Sequence, residues 1–490
     1  MAPINAGARL PHLPFLPLLR LLPLLLAALG ALPGQAEARQ APTIRRLAVQ
    51  AATEVSDLRC DPRPSVARPA ASVVTDPMEI PTGEFVEEMA PVDAADGAPM
   101  ANRRSALPPG GPARVAIWGD SHLAANFFSE TVSKLINIPA EAPLHALIPA
   151  SMAKPGIRLS LRQSCVSPQW KIELAYLGGE AAAAPGPGMV NMFSDQAGST
   201  VAWDVRRPAA QGEAARGEER VRLLYQQTGS PIVVAIGIDG QPEKEVTLDG
   251  AAGPAILELV AEQPISQVKL RLVDGRLRLH GLELMPAQES PLVMDVFGYP
   301  GATVASWKNA NFPYFASWFG QRDYQLVMLE FGTNEGNVKP FDSGTYRRLL
   351  SDSVQNLRKT FPNAACMLIA PGDRGVLVPR SANLHTKKSA GGKGRNKHKP
   401  ARKPPAVDLY QYSRIHAEIG RIQAAVALDA GCGVWSMQTA MGGPGSAYNW
   451  ARQSPPLMAR DLIHFTVAGY QRLGQQFVKD MGWSGAPTTP

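Results

Sequence analysis

The sequence predicts an α/β fold of three layers, a mostly parallel sheet between helices, interrupted by a second unit built as a β-sandwich. Two observations carry this. At both ends of the region from about residue 111 to 483, short apolar runs that stop at Gly or Pro alternate with amphipathic helical patterns. That alternation is what strands joined by crossover helices produce. Between about residues 155 and 290 the helical period vanishes, and short runs recur between Asp-Gly turns, as in stacked antiparallel sheets.

The elements follow in order. Residues 1–38 read as a secretory signal: Arg9 and Arg20 supply charge, Leu21 to Leu32 is apolar, and Ala36-Glu37-Ala38 offers a small-x-small cleavage site. A retained N-terminal anchor is the alternative. Residues 39–110 are rich in Ala and Pro with no sustained period, and read as an extension or linker. Residues 111–154 open the α/β domain with the strand Arg114 to Trp118, the turn Gly119-Asp120 and a helix from about Leu123 to Leu135.

The interrupting unit, 155–290, shows runs at Ile157 to Leu161, Val201 to Trp203, Val221 to Tyr225, Ile232 to Ile238, Val268 to Val273 and Leu277 to Leu284. Residues 291–483 return to α/β texture. Leu326 to Phe331 and Cys366 to Ala370 are buried-strand patterns, and Gly433 to Trp435 is a short one. Tyr346, Leu350, Val354, Leu357 and Phe361 share one helical face, as do Leu409, Tyr412, Ile415, Ile419, Ile422 and Val426. Thr466 can N-cap a last helix from about Val467 to Val478.

The formal net charge is +7, and the run Lys387 to Lys403 alone holds eight Lys and Arg without an acid, so the rest of the chain stands at −1. A general nucleic-acid binder is thereby disfavoured. The loop 381–405 that contains this run reads as solvated and disordered, with weak contact to a polyanion as the functional reading. Export makes disulfides possible among Cys60, Cys165, Cys366 and Cys432, and three full connectivities are open. Cys366 and Cys432 each adjoin an apolar run and could meet across a sheet; buried free thiols are the alternative.

Chemistry concentrates in short segments. Gly119-Asp120-Ser121-His122 ends the first strand, where open α/β sheets bind ligands. Asp461 to His464 precedes the last helix and supplies an imidazole with a carboxylate three residues away. A serine hydroxyl needs such a base, and the base needs an orienting carboxylate. Gly332-Thr333-Asn334-Glu335 ends another strand and offers an amide donor, while Gly301 allows a backbone N–H close to a ligand. Each segment alone also has a bland reading, as a turn, a cap or a solvated charge.

Taken in order, GDS, G-x-x-G, G-x-N and D-x-x-H resemble the blocks of SGNH/GDSL hydrolases. The resemblance covers about residues 112 to 125 and 291 to 480. It implies a flavodoxin-like SGNH domain, with Ser121 as nucleophile, His464 as base and Asp461 as its orienter. It further implies an oxyanion hole from Ser121 N–H, Gly301 N–H and the Asn334 side chain. His122 and Glu335 depart from the commoner Leu and Asp. Together with the β-rich insert and Met441-Gly442-Gly443, they look like the peptidoglycan O-acetylesterase (Ape1-like) branch, whose insert resembles a carbohydrate-binding module. The implied protein is an exported, secreted or periplasmic serine esterase that deacetylates a cell-envelope glycan, most readily peptidoglycan, through an acetyl-enzyme. It needs no metal or organic cofactor, no nucleic acid and, once the signal is removed, no membrane segment. An O-acetyltransferase, an esterase for another acetylated polysaccharide, and a non-catalytic glycan-binding wall protein are the alternatives.

Overall fold

Five strands lie parallel in the order Val293–Gly298, Arg114–Gly119, Leu326–Glu330, Ala365–Ala370, Gly433–Ser436. Counted along the chain this is the doubly wound order 2-1-3-4-5, which leaves a crevice where the first and third strands diverge. The structure is a computed structural model that describes residues 41–60, 78–81, 114–136, 146–206, 218–285, 292–320, 322–379 and 407–483. The expected signal and the basic loop, including Lys387 to Lys403, lie outside the described residues.

Side chains alternate across this sheet because successive Cβ atoms point to opposite faces. Ala116, Trp118, Val327, Leu329, Cys366 and Leu368 face one core, shared with helices Ser343–Thr360 and Gln411–Ala430. Val115, Ile117, Leu326, Met328, Met367 and Ile369 face the other, shared with helices Phe127–Ile136 and Val467–Met481. Trp118 is the hub of the first core, with Phe297, Trp307, Phe315, Phe319 and Phe361 around it at centroid distances of 5.1 to 6.0 Å. Each such fully buried side chain contributes about 1.5–3 kcal/mol relative to exposure.

The remaining strands make the fold a mixed one of several sheets. One seven-stranded sheet runs Thr43–Ala48, Gly253–Ile265, Glu218–Gln227, Leu277–Met285, Val190–Ser194, Lys171–Leu174, with Ala146–Pro149 also on Leu277–Met285. Apart from the parallel first pair, its pairings are antiparallel. A five-stranded antiparallel sheet runs Lys244–Leu248, Ile232–Ile238, Gln267–Asp274, Thr200–Asp204, Gln163–Val166. One hydrophobic cluster draws on both, including Val221, Leu257 and Leu282 from the first and Trp203, Val234 and Leu270 from the second. The larger sheet also meets the α/β core: Leu147, Leu224 and Ile256 pack in the cluster of Trp118. The buried Arg322 pairs with Glu283 of that sheet and, at 3.3 Å, with Asp295 of the parallel one.

Several expectations change. Residues 43–48, read as part of an extension or linker, form an edge strand; its few half-buried positions give too short an alternation to stand out. The β-rich region begins by Ala146 rather than at 155, since Ala146–Pro149 pairs with Leu277–Met285. Ile157 to Leu161 is not a strand. The expected helix Leu123 to Leu135 is two, Ser121–Ala124 and Phe127–Ile136, because Asn126 between them takes φ +60°, a conformation Asn tolerates better than most residues. The cysteines form Cys60–Cys165 and Cys366–Cys432. Among the described residues no helix is long and apolar enough to cross a membrane.

Candidate active site

Ser121 follows the central strand Arg114–Gly119, at the edge where the strand order reverses. Asp120 caps the short helix Ser121–Ala124, its Oδ1 accepting from His122 N–H at 2.9 Å. Ser121 Oγ lies 2.9 Å from His464 Nε2, and His464 Nδ1 lies 2.7 Å from Asp461 Oδ2. With the proton on Nδ1 donated to Asp461, Nε2 is free to accept the serine proton. The structure therefore brings Ser121 to an Asp–His pair more than 300 positions away in sequence.

The local backbone sets the Asp–His geometry. Leu462, buried between the two residues, adopts φ +56°, which is uncommon for a non-glycine residue. The reversal lets Asp461 Oδ1 accept from Ile463 N–H at 2.9 Å and His464 N–H at 3.0 Å, leaving Oδ2 for the imidazole. Burial opposes ionisation of Asp461, but hydrogen bonds from the His464 ring and from the His464 and Ile463 backbones outweigh it, so its carboxyl sits well below the usual range. The bond to Asp461 raises His464 against an opposing effect of burial.

The other expected donors stand nearby in the fold. Gly301 has φ +81° and open space where a Cβ would be. Asn334 Nδ2 donates to Ala302 O at 2.9 Å, which engages one of its two N–H groups and joins the two loops. Glu335 strengthens the same junction: Oε1 accepts from Val304 N–H at 2.8 Å and Oε2 from Gly332 N–H at 3.1 Å. Burial pushes its carboxyl up to about 7. His122 is a core residue, hydrogen-bonded to Tyr470 Oη at 3.3 Å and packed 4.9 Å from Phe465; burial lowers it to about 3, so it stays neutral.

Sequence reasoning missed the acid beneath the serine. Glu330 ends its strand fully buried, and its Oε2 accepts from Asp120 N–H at 3.1 Å. Burial and the neighbouring Asp120 charge raise Glu330 well above the ordinary carboxyl range, and burial raises Asp120 to about 6. Gly119 makes the approach possible, because a Cβ there would stand 2.4 Å from Glu330 Oε2. No sequence signal marks Glu330 beyond an acid closing an apolar run.

No protein-family model and no curated protein matches the sequence. Among solved structures, the chain is similar to one described as a peptidoglycan O-acetylesterase in action, at TM-score 0.55 and 18% identity over 78% of this chain and 94% of that one. The chain shares the overall fold of that structure. Slighter likenesses are to a family two carbohydrate esterase from Cellvibrio japonicus, at TM-score 0.23 and 11% identity over 66% of this chain and 98% of that one. A lipase/acylhydrolase from Enterococcus faecalis gives 0.25 and 17% over 41% and 80% respectively. At those TM-scores the last two add nothing to the fold assignment.

Proposed function

We propose that this chain is an exported serine esterase that removes O-acetyl groups from a cell-envelope glycan, with peptidoglycan as the first candidate. The observation that carries the reading is the hydrogen-bonded row Ser121 Oγ, His464 Nε2 and Nδ1, Asp461 Oδ2 at the switch point of the parallel sheet. In this reading Ser121 Oγ attacks the acetyl carbonyl while His464 Nε2 takes its proton. Asp461 holds the imidazole and stabilises its cation. The oxyanion is received by the N–H groups of Ser121 and Gly301 and by the free N–H of Asn334. His464 then protonates the leaving sugar oxygen, the C–O bond to the sugar breaks, and Ser121 keeps the acetyl group until water repeats the sequence.

Two further observations support the setting. The two disulfides suit an oxidising compartment, which agrees with residues 1–38 as an export signal. The paired sheets of residues 146–285 would act as a β-sandwich like a carbohydrate-binding module, holding the polymer beside Ser121. The fold in common with a peptidoglycan O-acetylesterase makes an acetylated glycan the first substrate to try.

The test is acetate release from O-acetylated peptidoglycan and from acetylated xylan, with 4-nitrophenyl acetate as a small ester, by the protein and by Ser121→Ala. The variant should lose activity by about four orders of magnitude or more while keeping its fold. Equal rates in the two proteins would sink the serine assignment, and preference for xylan would replace the substrate.

A further inference from the structure

Arg374 stands just past the strand Ala365–Ala370, at the same end of the sheet as Ser121 and Asn334. Two contacts fix it between the loops of the site. Its side chain donates to Asn337 Oδ1, in the turn Glu335–Asn337 that follows Asn334. The next residue, Gly375, donates its N–H to Leu462 O at 3.0 Å, inside the Asp461–His464 segment. The guanidinium also lies close enough to Asp461 and His464 to act on both electrostatically.

Among the described residues no carboxylate forms an ion pair with Arg374, and its Nε is buried without a hydrogen-bond partner. The acids around it are engaged elsewhere. Asp373 accepts from Gln438 Nε2 and Ala447 N–H, each at 2.8 Å, Asp408 pairs with Arg414, and Asp461 holds His464. The guanidinium packs 4.0 Å from the Tyr412 ring centroid, and a second cation, Lys339, stands 4.8 Å from the same centroid. Lys339 is exposed, with Gln411 Oε1 at 3.5 Å as its hydrogen-bond partner. Two positive charges are thus held on one aromatic ring beside the serine site, and among the described residues neither has a carboxylate in ion-pair contact, Asp461 acting on Arg374 only at longer range. With Nη1 donating to Asn337 and Cζ seated over the Tyr412 ring, Nη2 remains a donor that a carboxylate can meet.

We propose that Arg374 and Lys339, braced on Tyr412, form a subsite for a carboxylate carried by the acetylated glycan near the ester. The inference rests on the esterase reading above and names its substrate more closely. The carboxylate could belong to a lactyl ether or to a uronic acid, which share this chemistry.

The experiment compares O-acetylated muramyl glycan and acetylated glucuronoxylan oligosaccharides, each with free carboxylates and after amidation. Turnover is read for the protein, Arg374→Gln, Arg374→Lys and Lys339→Gln. Binding is read by calorimetry on Ser121→Ala, with and without the Arg374→Gln change. The protein should prefer a free-carboxylate glycan over its amidated twin by about tenfold or more in kcat/KM, mainly through KM. Arg374→Gln should flatten that preference, Lys339→Gln should reduce it, and Arg374→Lys should keep part of it. Whichever free-acid glycan shows the preference identifies the source. Equal handling of free and amidated forms, or an undiminished preference in Arg374→Gln, overturns the subsite. Loss of turnover on every substrate, 4-nitrophenyl acetate included, would instead overturn the esterase reading, and the binding arm would still decide on the subsite.

Discussion

The backbone N–H of Asp120 donates to Glu330 Oε2 at 3.1 Å, so the residue before Ser121 is held by a fully buried acid on the neighbouring strand. Glu330, Asp120 and Glu335 all have carboxyls raised by burial, the last two to about 6 and about 7. An acid raised in the folded state binds more protons there than in the unfolded chain, so its contribution to stability falls as pH rises. The fall begins near the unfolded values of 3.8 and 4.5 and continues through the folded ones, to about 7 and, for Glu330, beyond. Glu330→Gln keeps a neutral side chain of the same length there at every pH. Its melting temperature should drop less than that of the native protein between pH 5 and 8, and Glu330→Ala, which leaves Asp120 N–H unanswered, should be destabilised throughout. Parallel melting curves for the native protein and Glu330→Gln would show that Glu330 is not protonated.

The base predicts a pH–rate profile. His464 must be neutral to accept the Ser121 proton, and the bond to Asp461 raises it above 6.5 despite burial. Ester kcat/KM should therefore rise with pH through a midpoint above 6.5. Asp461 is held so low that it adds no second limb above pH 4. The Arg374 charge opposes the imidazolium. Arg374→Gln should move the limb to higher pH, and Arg374→Lys should move it less. A limb that stays in place in Arg374→Gln would mean that solvent screens the pair.

The row Ser121, His464 and Asp461 was legible because each side chain ends or starts an element whose pattern is strong, and the blocks occur in a recognisable order. Gly301 and Asn334 were singled out on the same grounds, and the proposed mechanism uses them as donors. Glu330 was not, since its role depends on a pairing across 210 residues and on the missing Cβ of Gly119. Nor was the αL backbone at Leu462, because nothing in an apolar side chain announces φ +56°. The strand Gly253–Ile265 reads as a run too mixed for a simple alternation, with buried Glu258 inside it answered by Arg46 and Arg222 from its two neighbouring strands. Its partner Thr43–Ala48 gains order from that pairing rather than from its own pattern.

Glu335 tests how far loop junctions control the chemistry. It receives N–H groups from Val304 and Gly332, and so binds the loop of Gly301 to the loop of Asn334. Glu335→Ala should displace the proposed oxyanion donors while leaving the Ser121–His464 contact intact. The expected result is a kcat lower by about 10²-fold with a smaller change in KM, and an unchanged pH midpoint of kcat/KM, which reports the His464 base. Glu335→Gln keeps one acceptor oxygen and should fall between the two. A loss confined to KM would assign Glu335 to substrate binding instead.

The two disulfides should separate stability from activity. Cys366–Cys432 joins the strand Ala365–Ala370 to the residue before Gly433–Ser436, at the strand ends opposite Ser121. Cys60–Cys165 fastens the N-terminal segment to the strand Gln163–Val166, where Asp57 also pairs with Arg162 at 2.9 Å and with Arg206 at 3.3 Å. Replacing either pair with serines should cost about 2–5 kcal/mol, read by denaturant unfolding. Loss of Cys60–Cys165 should further speed hydrogen exchange across Thr43–Ala48, whose one strand partner among the described residues is Gly253–Ile265. Loss of Cys366–Cys432 should instead loosen the strand Ala365–Ala370 and the core it shares with the helix Gln411–Ala430. Small-ester turnover at a temperature well below unfolding should be close to native in both variants, because neither bond touches Ser121, His464 or Asp461. A variant that stays fully folded yet loses turnover would show that the disulfide shapes the site as well as the scaffold.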